Sequence, residues 1–158
     1  MRRDIFLAFA ALLLSGLIAA TGALGRPATS RALVKTSYNA KLKRPILVDS
    51  RGMSLYLFTA DTGGTPNCIH VDPRCPKIWP ALATVGAPRA GTGIDASLLG
   101  TTKGAHGVTQ VTYNRHPLYT FYGEYGTVTG DRTPGQVRGQ GLFGAWFVLS
   151  PKGVAIRR

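Results

Sequence analysis

Two aromatic segments of this chain are similar to each other, and this internal repeat constrains the fold more than any other feature. Leu55–Asp61 aligns without a gap on Leu118–Glu124, and each segment is followed by a glycine-rich loop and then by a tryptophan. Self-similarity of this kind predicts a repeated supersecondary unit. The Tyr and the Phe of each segment are two residues apart, so they point to the same face of a strand. The sequence therefore predicts two pseudo-symmetric β-hairpin repeats that share one core.

In each copy we expect the aromatic pair to pack in the core and the terminal acid to brace the loop that follows. A carboxylate at the end of a strand commonly accepts backbone N–H bonds from the next turn. The competing hypothesis is acid–base hydrolysis, because glycosidases use two carboxylates about 5–10 Å apart. The motif residues are Tyr56, Phe58, Asp61 and Trp79 in the first copy and Tyr119, Phe121, Glu124 and Trp146 in the second.

The rest of the chain also indicates short strands joined by turns. It contains 20 Gly and 10 Pro, and no stretch after residue 45 keeps a helical period over three turns. We therefore predict a small, single-domain, all-β fold with long glycine-rich loops. The β domain is expected over 46–158, with repeat one over about 46–83 and repeat two over about 108–156.

The first 45 residues are expected to lie outside this domain. Residues 1–25 combine an arginine pair, a long apolar run and small residues before Gly25, which is the pattern of a signal peptide cleaved near Gly25. An uncleaved anchor helix is the competing hypothesis. Residues 26–45 hold six basic residues and no acid, and we predict a basic flexible tether with one short edge strand around Ala32–Tyr38. These features predict export to the periplasm, the cell surface or the medium.

Cys68 and Cys75 are the two cysteines of the chain. An even number of cysteines in an exported protein predicts a disulfide. The competing hypothesis is a metal site, for which His70, His106 and His116 are further candidate ligands. The two thiols and the adjacent imidazole fall short of the four ligands of a structural zinc site. The sequence therefore predicts a disulfide, no metal and no other cofactor.

The chain is strongly basic. It has 19 Lys and Arg against 7 Asp and Glu, for a net charge of +12, and such a charge attracts polyanions. No nucleophile elbow, phosphate-binding loop or zinc-protease motif occurs in the sequence, so we predict no enzyme activity. The expected partners are an anionic envelope polymer, a membrane surface or an envelope protein. Export argues against nucleic acid as a partner.

Several short motifs together resemble a known group of proteins. Cys75–Pro80, Asp95–Gly100, Thr109–Asn114 and Gly139–Pro151 join the two aromatic segments in a pattern that spans about 46–153. In this pattern the chain resembles the bacterial secreted-repeat proteins of unknown function, predicted lipoproteins with a Tyr-x-aromatic-x-x-Asp motif. The resemblance implies an exported envelope protein with two repeats, and it implies no established activity.

The predicted function is therefore that of an exported, non-catalytic envelope protein that acts as a binding or structural β-module. The alternative is a periplasmic metal-handling or redox protein that uses Cys68, Cys75 and the nearby histidines.

Overall fold

The computed structural model describes residues 30–125 and 128–157, apart from the side chains of residues 124 and 125. Strands predominate over helices in this part of the chain, which confirms the predicted all-β class at this coarse level. The predicted signal peptide lies outside the described residues. The strands are β1 (Leu33–Asn39), β2 (Arg44–Val48), β3 (Tyr56–Phe58), β4 (Arg89–Ala90), β5 (Leu99–Lys103), β6 (Thr109–Tyr113), β7 (His116–Pro117), β8 (Gly123–Tyr125), β9 (Val128–Thr129) and β10 (Trp146–Val148); the α-helices are α1 (Cys68–Val71) and α2 (Cys75–Ile78), and 3-10 helices cover Ala96–Leu98, Ala105–Gly107 and Leu142–Gly144.

The segment after residue 32 belongs to the folded domain. Strand β1 pairs antiparallel with β2 on one side and parallel with β4 on the other. The strand predicted around Ala32–Tyr38 is present as β1, but it is paired on both sides and is not an edge strand, so the segment from residue 33 onward is not a flexible tether. Residues 26–29 lie outside the described part. The sequence gives little hydrophobic pattern here because most side chains of β1 are exposed or only partly buried. Val34 is an exception and is fully buried.

The two predicted Tyr-x-Phe segments meet at the centre of the fold. The backbone N–H of Tyr56 donates to the carbonyl of Tyr119 at 2.8 Å, and the N–H of Tyr119 donates back to Tyr56 at 3.0 Å. Strand β3 pairs with β10 through Phe58 opposite Trp146. Along β3 the side chains of Tyr56 and Phe58 enter one hydrophobic cluster, and Leu57 enters another. The central strands are thus buried on both faces.

The two hydrophobic clusters differ in composition. The first is dominated by aromatic rings and includes the disulfide, whereas the second is mainly aliphatic. Because side chains alternate along each strand, β2, β3 and β10 contribute to both clusters. The aromatic cluster contains Ile46, Val48, Tyr56, Phe58, Cys68, Cys75, Ile78, Trp79, Tyr119, Phe121, Val137, Trp146, Val148 and Ile156. The aliphatic cluster contains Val34, Leu47, Leu55, Leu57, Val111, Tyr113, Leu118, Phe147 and Leu149.

A column of four stacked rings forms the middle of the aromatic cluster. Trp79 and Trp146 lie face to face with centroids 3.8 Å apart and planes 2° from parallel. Phe121 stacks on Trp79 at 4.2 Å, and Phe58 stacks on Trp146 at 4.4 Å. Offset or parallel ring contacts of this kind add to the stabilisation that burial alone provides.

Removal of one central ring is expected to destabilise the fold severely. Trp146→Ala should lower the free energy of unfolding by about 3–5 kcal/mol, because the cavity it leaves is lined by the other rings. Tyr38→Ala, at a side chain that is 67% exposed, should change it by under about 1 kcal/mol. Urea unfolding followed by circular dichroism measures both values. Similar losses for the two variants would show that the column does not support the fold.

Candidate functional site

Each of the two central tyrosines donates its hydroxyl to a buried aspartate. The Tyr119 hydroxyl lies 2.9 Å from Oδ2 of Asp61, and the Tyr56 hydroxyl lies 2.6 Å from Oδ2 of Asp131. The bonds are crossed. Asp61 follows the first Tyr-x-Phe segment and accepts from Tyr119 of the second, whereas Asp131 follows the second segment and accepts from Tyr56 of the first. These bonds join side chains 58 and 75 positions apart in sequence.

The same two acids also brace the loops that follow them. Oδ1 of Asp61 accepts the backbone N–H of Asn67 at 2.7 Å, and Oδ1 of Asp131 accepts that of Arg138 at 2.8 Å. Each carboxylate therefore has one oxygen on a tyrosine and one on a loop amide. For Asp61, a carboxylate at the end of a strand accepts a backbone N–H from the loop that follows it, as we expect from the sequence.

The acid whose contacts match those of Asp61 is Asp131. The N–H of Asp61 donates to the carbonyl of Phe58, and the N–H of Asp131 donates to the carbonyl of Phe121. The gap-free alignment pairs Asp61 with Glu124 instead, whose side chain lies outside the described residues. Between Phe121 and Asp131 the chain inserts the hairpin of β8 and β9, and an alignment without gaps passes over it.

Burial sets the ionisation of these groups. Desolvation raises the pKa of Asp61 to about 6, although its bonds from the Asn67 amide and the Tyr119 hydroxyl act in the opposite direction. Burial also raises the pKa of Asp131. Desolvation, together with the neighbouring carboxylate, raises the pKa of Tyr56 and of Tyr119, so both hydroxyls remain protonated donors.

Cys68 and Cys75 form the predicted disulfide, with their Cα atoms 5.8 Å apart. The bond joins the first residues of α1 and α2, two single-turn helices too short to show a period in the sequence. Among the residues that the structure describes, no group of three or more His, Cys, Asp or Glu side chains is placed to hold a metal ion. The candidate ligands His70, His106 and His116 thus do not form such a group. Partial burial lowers the pKa of His116 through desolvation.

A pocket of about 280 Å³ lies beside the disulfide. Its walls are mainly apolar and come from the disulfide loop and from the strands around Tyr119. His106, which has a left-handed backbone with φ of 55°, also contributes to the lining. Apolar lining residues include Pro66, Ile69, Pro80, Ala83 and Val108.

Exposed basic residues crowd the turn between β1 and β2. Lys41, Lys43 and Arg44 are all exposed there. The Asn39 side-chain amide, at the end of β1, donates to the carbonyl of Gly135 at 2.9 Å. This bond brings a distant loop against the turn.

That loop adds two further cations. Arg132 and Arg138 are exposed on it, and the Arg138 guanidinium donates to the hydroxyl of Thr129. Lys41 and Arg138 both act electrostatically on the buried Asp131 and oppose the rise in its pKa that burial causes. Cations from two separate segments therefore lie around the same buried acid. We call this group of exposed cations the basic face; it consists of Lys41, Lys43, Arg44, Arg132 and Arg138.

The acids of the described part are used within the structure. Asp49 pairs with Arg51 at 3.0 Å, and Asp72 pairs with Arg74 at 2.9 Å. Asp95 accepts the backbone N–H of the 3-10 helix that follows it. Asp61 and Asp131 are likewise engaged, through the tyrosine hydroxyls and the loop amides described above.

Comparison with models of protein families, with curated proteins and with solved structures returned no match to this chain. No helix within residues 30–125 and 128–157 has the length and hydropathy needed to cross a bilayer. The function of the chain must therefore be inferred from the chemistry of its own residues.

Loss of one crossed bond is expected to cost measurable stability. Tyr56→Phe leaves the buried Oδ2 of Asp131 without its donor, and such a group costs about 1–3 kcal/mol. The matched control is Tyr122→Phe, because Tyr122 is 44% exposed, and it should be nearly neutral. Chemical denaturation of the two variants makes the comparison. A neutral Tyr56→Phe would show that the bond contributes nothing to stability.

The raised pKa of Asp61 predicts a pH dependence of stability. Between about pH 4 and pH 6 the native carboxyl keeps a proton that the unfolded chain has released, so the native state binds more protons. The free energy of unfolding should therefore fall as pH rises through this window, by at most about 3 kcal/mol from this group, and then level off.

Urea midpoints measured from pH 4 to 7.5 test this expectation. Asp61→Asn should flatten the profile, and the slope that remains should report the raised pKa of Asp131. Identical profiles for the wild-type chain and the variant would mean that Asp61 titrates near its ordinary value.

Proposed function

We propose that this chain is an exported, non-catalytic binding module of the cell envelope, and that its basic face contacts an anionic surface. The observation that carries the proposal is the convergence of cations from two distant segments beside Asp131, a carboxylate that is buried and held by Tyr56. Asp131 is buried and makes no ion pair with these cations in the described residues, so the five cations remain exposed to solvent. Anionic lipids and wall polymers supply the matching phosphate and carboxylate groups.

The size of the effect is sufficient for reversible binding. Each Lys or Arg close to an anionic membrane surface contributes about 1 kcal/mol. Five such residues would together give binding that weakens as salt screens the charges. Tyr38 lies near the same turn and is largely exposed, so its ring can enter the interfacial region of a membrane.

Export is part of the proposal and is supported by the sequence of residues 1–25. A disulfide such as Cys68–Cys75 persists in an oxidising compartment, which is compatible with this location.

We further propose that the module consists of two copies of one β-unit, as the resemblance to the secreted-repeat proteins implies. The reciprocal backbone bonds of Tyr56 and Tyr119 support this proposal, as do the crossed bonds to Asp61 and Asp131. In this interpretation Asp131 is the counterpart of Asp61, and β8 and β9 are an insertion in the second copy.

Charge reversal at the turn is expected to abolish binding. The test variant is Lys41→Glu/Lys43→Glu/Arg44→Glu, and the matched control is Lys77→Glu/Lys103→Glu/Lys152→Glu, which changes the net charge equally at exposed sites elsewhere. The wild-type chain should cosediment with vesicles of phosphatidylglycerol, but not with phosphatidylcholine. The test variant should bind at least about 100-fold more weakly, and the control less than about tenfold more weakly.

A parallel assay with purified anionic wall polymer shows which surface is preferred. Equal losses for the two triple variants would mean that net charge alone drives binding and would contradict a role for the basic face. Absence of binding to both vesicles and polymer, with zinc or copper retained on the purified chain, would favour the metal-handling alternative.

A further inference from the structure

The pocket beside the disulfide presents apolar surface that a bound molecule can reach. On the disulfide loop Pro66, Ile69 and Pro76 line it, and all three residues are only partly buried, so part of their surface is accessible. The bond between Cys68 and Cys75 closes this loop, and the two proline rings fix the backbone φ at their positions. This wall is therefore formed before anything binds, which reduces the entropy cost of binding.

The second wall leaves room because its side chains are small. The segment that follows α2 forms backbone bridges from Ala81 to Tyr119 and from Ala83 to Gln110, which fix its path. Ala81 and Ala83 are two residues apart in this extended segment, so they share one face of it, and both line the pocket. Both are partly exposed. A longer apolar side chain at either position would occupy part of the volume.

The charge of the lining favours an uncharged occupant. Among the described residues that line the pocket there is no Asp, Glu, Lys or Arg, and the hydroxyl of Tyr119 is already bonded to Asp61. The remaining ionisable side chain of this lining is that of His106, an exposed residue. An ion would lose its hydration here without a fixed counter-charge, which costs free energy. An apolar molecule would instead replace water that finds few hydrogen-bond partners on these walls.

We propose that this pocket binds a compact, uncharged, largely hydrocarbon molecule about the size of two fused rings. The size follows from the volume: a cavity of about 150 Å³ holds one benzene ring, so about 280 Å³ holds roughly two fused rings. Burial of the apolar surface of such a molecule against the two walls supplies the affinity. No residue of the basic face lines the pocket, and the proposal does not depend on the binding of an anionic surface.

A fluorinated fused-ring probe tests the proposal by nuclear magnetic resonance. The probe is 1-fluoronaphthalene, because it has two fused rings and its fluorine signal reports binding directly. The wild-type chain should broaden and shift this signal saturably, with a dissociation constant of about 1 mM or below. In about 0.15 M salt, which screens the net charge of the chain, 1-naphthoate should bind at least about tenfold more weakly because its carboxylate must lose water. Equal binding of the charged and uncharged rings would overturn the proposal.

Methyl groups of the chain show where the probe lies. In a ¹H–¹³C spectrum the methyl signals of Ile69 and Val108, two residues that line the pocket, should shift as the probe is added. Those of Val34, which is fully buried in the aliphatic cluster, should stay in place. Unchanged signals of Ile69 and Val108, or a shift of equal size at Val34, would contradict binding in this pocket.

A pocket-filling variant tests the role of the small side chains. Ala83→Leu should weaken binding of 1-fluoronaphthalene at least about tenfold, because the new side chain takes up part of the volume. The matched control Ala96→Leu, at an exposed position outside the lining, should preserve binding. Ala105→Leu fills the pocket from a 3-10 helix and replaces Ala83→Leu if that variant does not fold. Saturable binding that survives the filling of the pocket would place the probe elsewhere and overturn the proposal.

Discussion

The contact between the faces of Trp79 and Trp146 is the interaction on which the rest of the structure depends. Trp79 follows the end of α2 and Trp146 begins β10, and their stacking joins Phe58 and Phe121 in the same column. Tyr56 and Tyr119 then pack edge-on against the two indoles, 5.3 Å and 5.2 Å away. In that position their hydroxyls are buried and need acceptors, because a buried polar group without a partner costs free energy. Asp61 and Asp131 supply these acceptors and are themselves buried.

The lopsided charge of the chain follows from the same arrangement. Asp61 and Asp131 are held inside by tyrosines, and Asp49 and Asp72 each pair with an arginine two residues further along the chain. The acids are thus occupied with local structure, and few are left to neutralise the lysines and arginines on the surface. With so few carboxylates on the surface, the exposed lysines and arginines keep their positive charge largely unneutralised.

The sequence predicted the parts of this structure that depend on local pattern. The spacing of Tyr56 and Phe58 placed both rings on one face of a strand, and the two cysteines indicated the disulfide. It could not predict the role of Asp131, because a gap-free comparison cannot detect the hairpin that separates this acid from Phe121. It placed β1 as an edge strand and not as one paired on both sides, because most of its side chains are exposed or only partly buried and leave little hydrophobic pattern. The pocket could not be predicted from the sequence either, because Trp79 and Gln110 line the same cavity only as a result of tertiary packing.

The crossed tyrosine–aspartate bonds have a consequence for how the chain assembles. Each tyrosine needs an acid from the other half, but nothing in the bond requires that both halves belong to one polypeptide. Two chains could satisfy every such bond by exchanging halves, as in domain swapping. What favours the closed single chain is the connecting segment, which holds the partner half at high effective concentration. Because β4 in that segment is itself paired with β1, the connection is anchored to the first half of the chain.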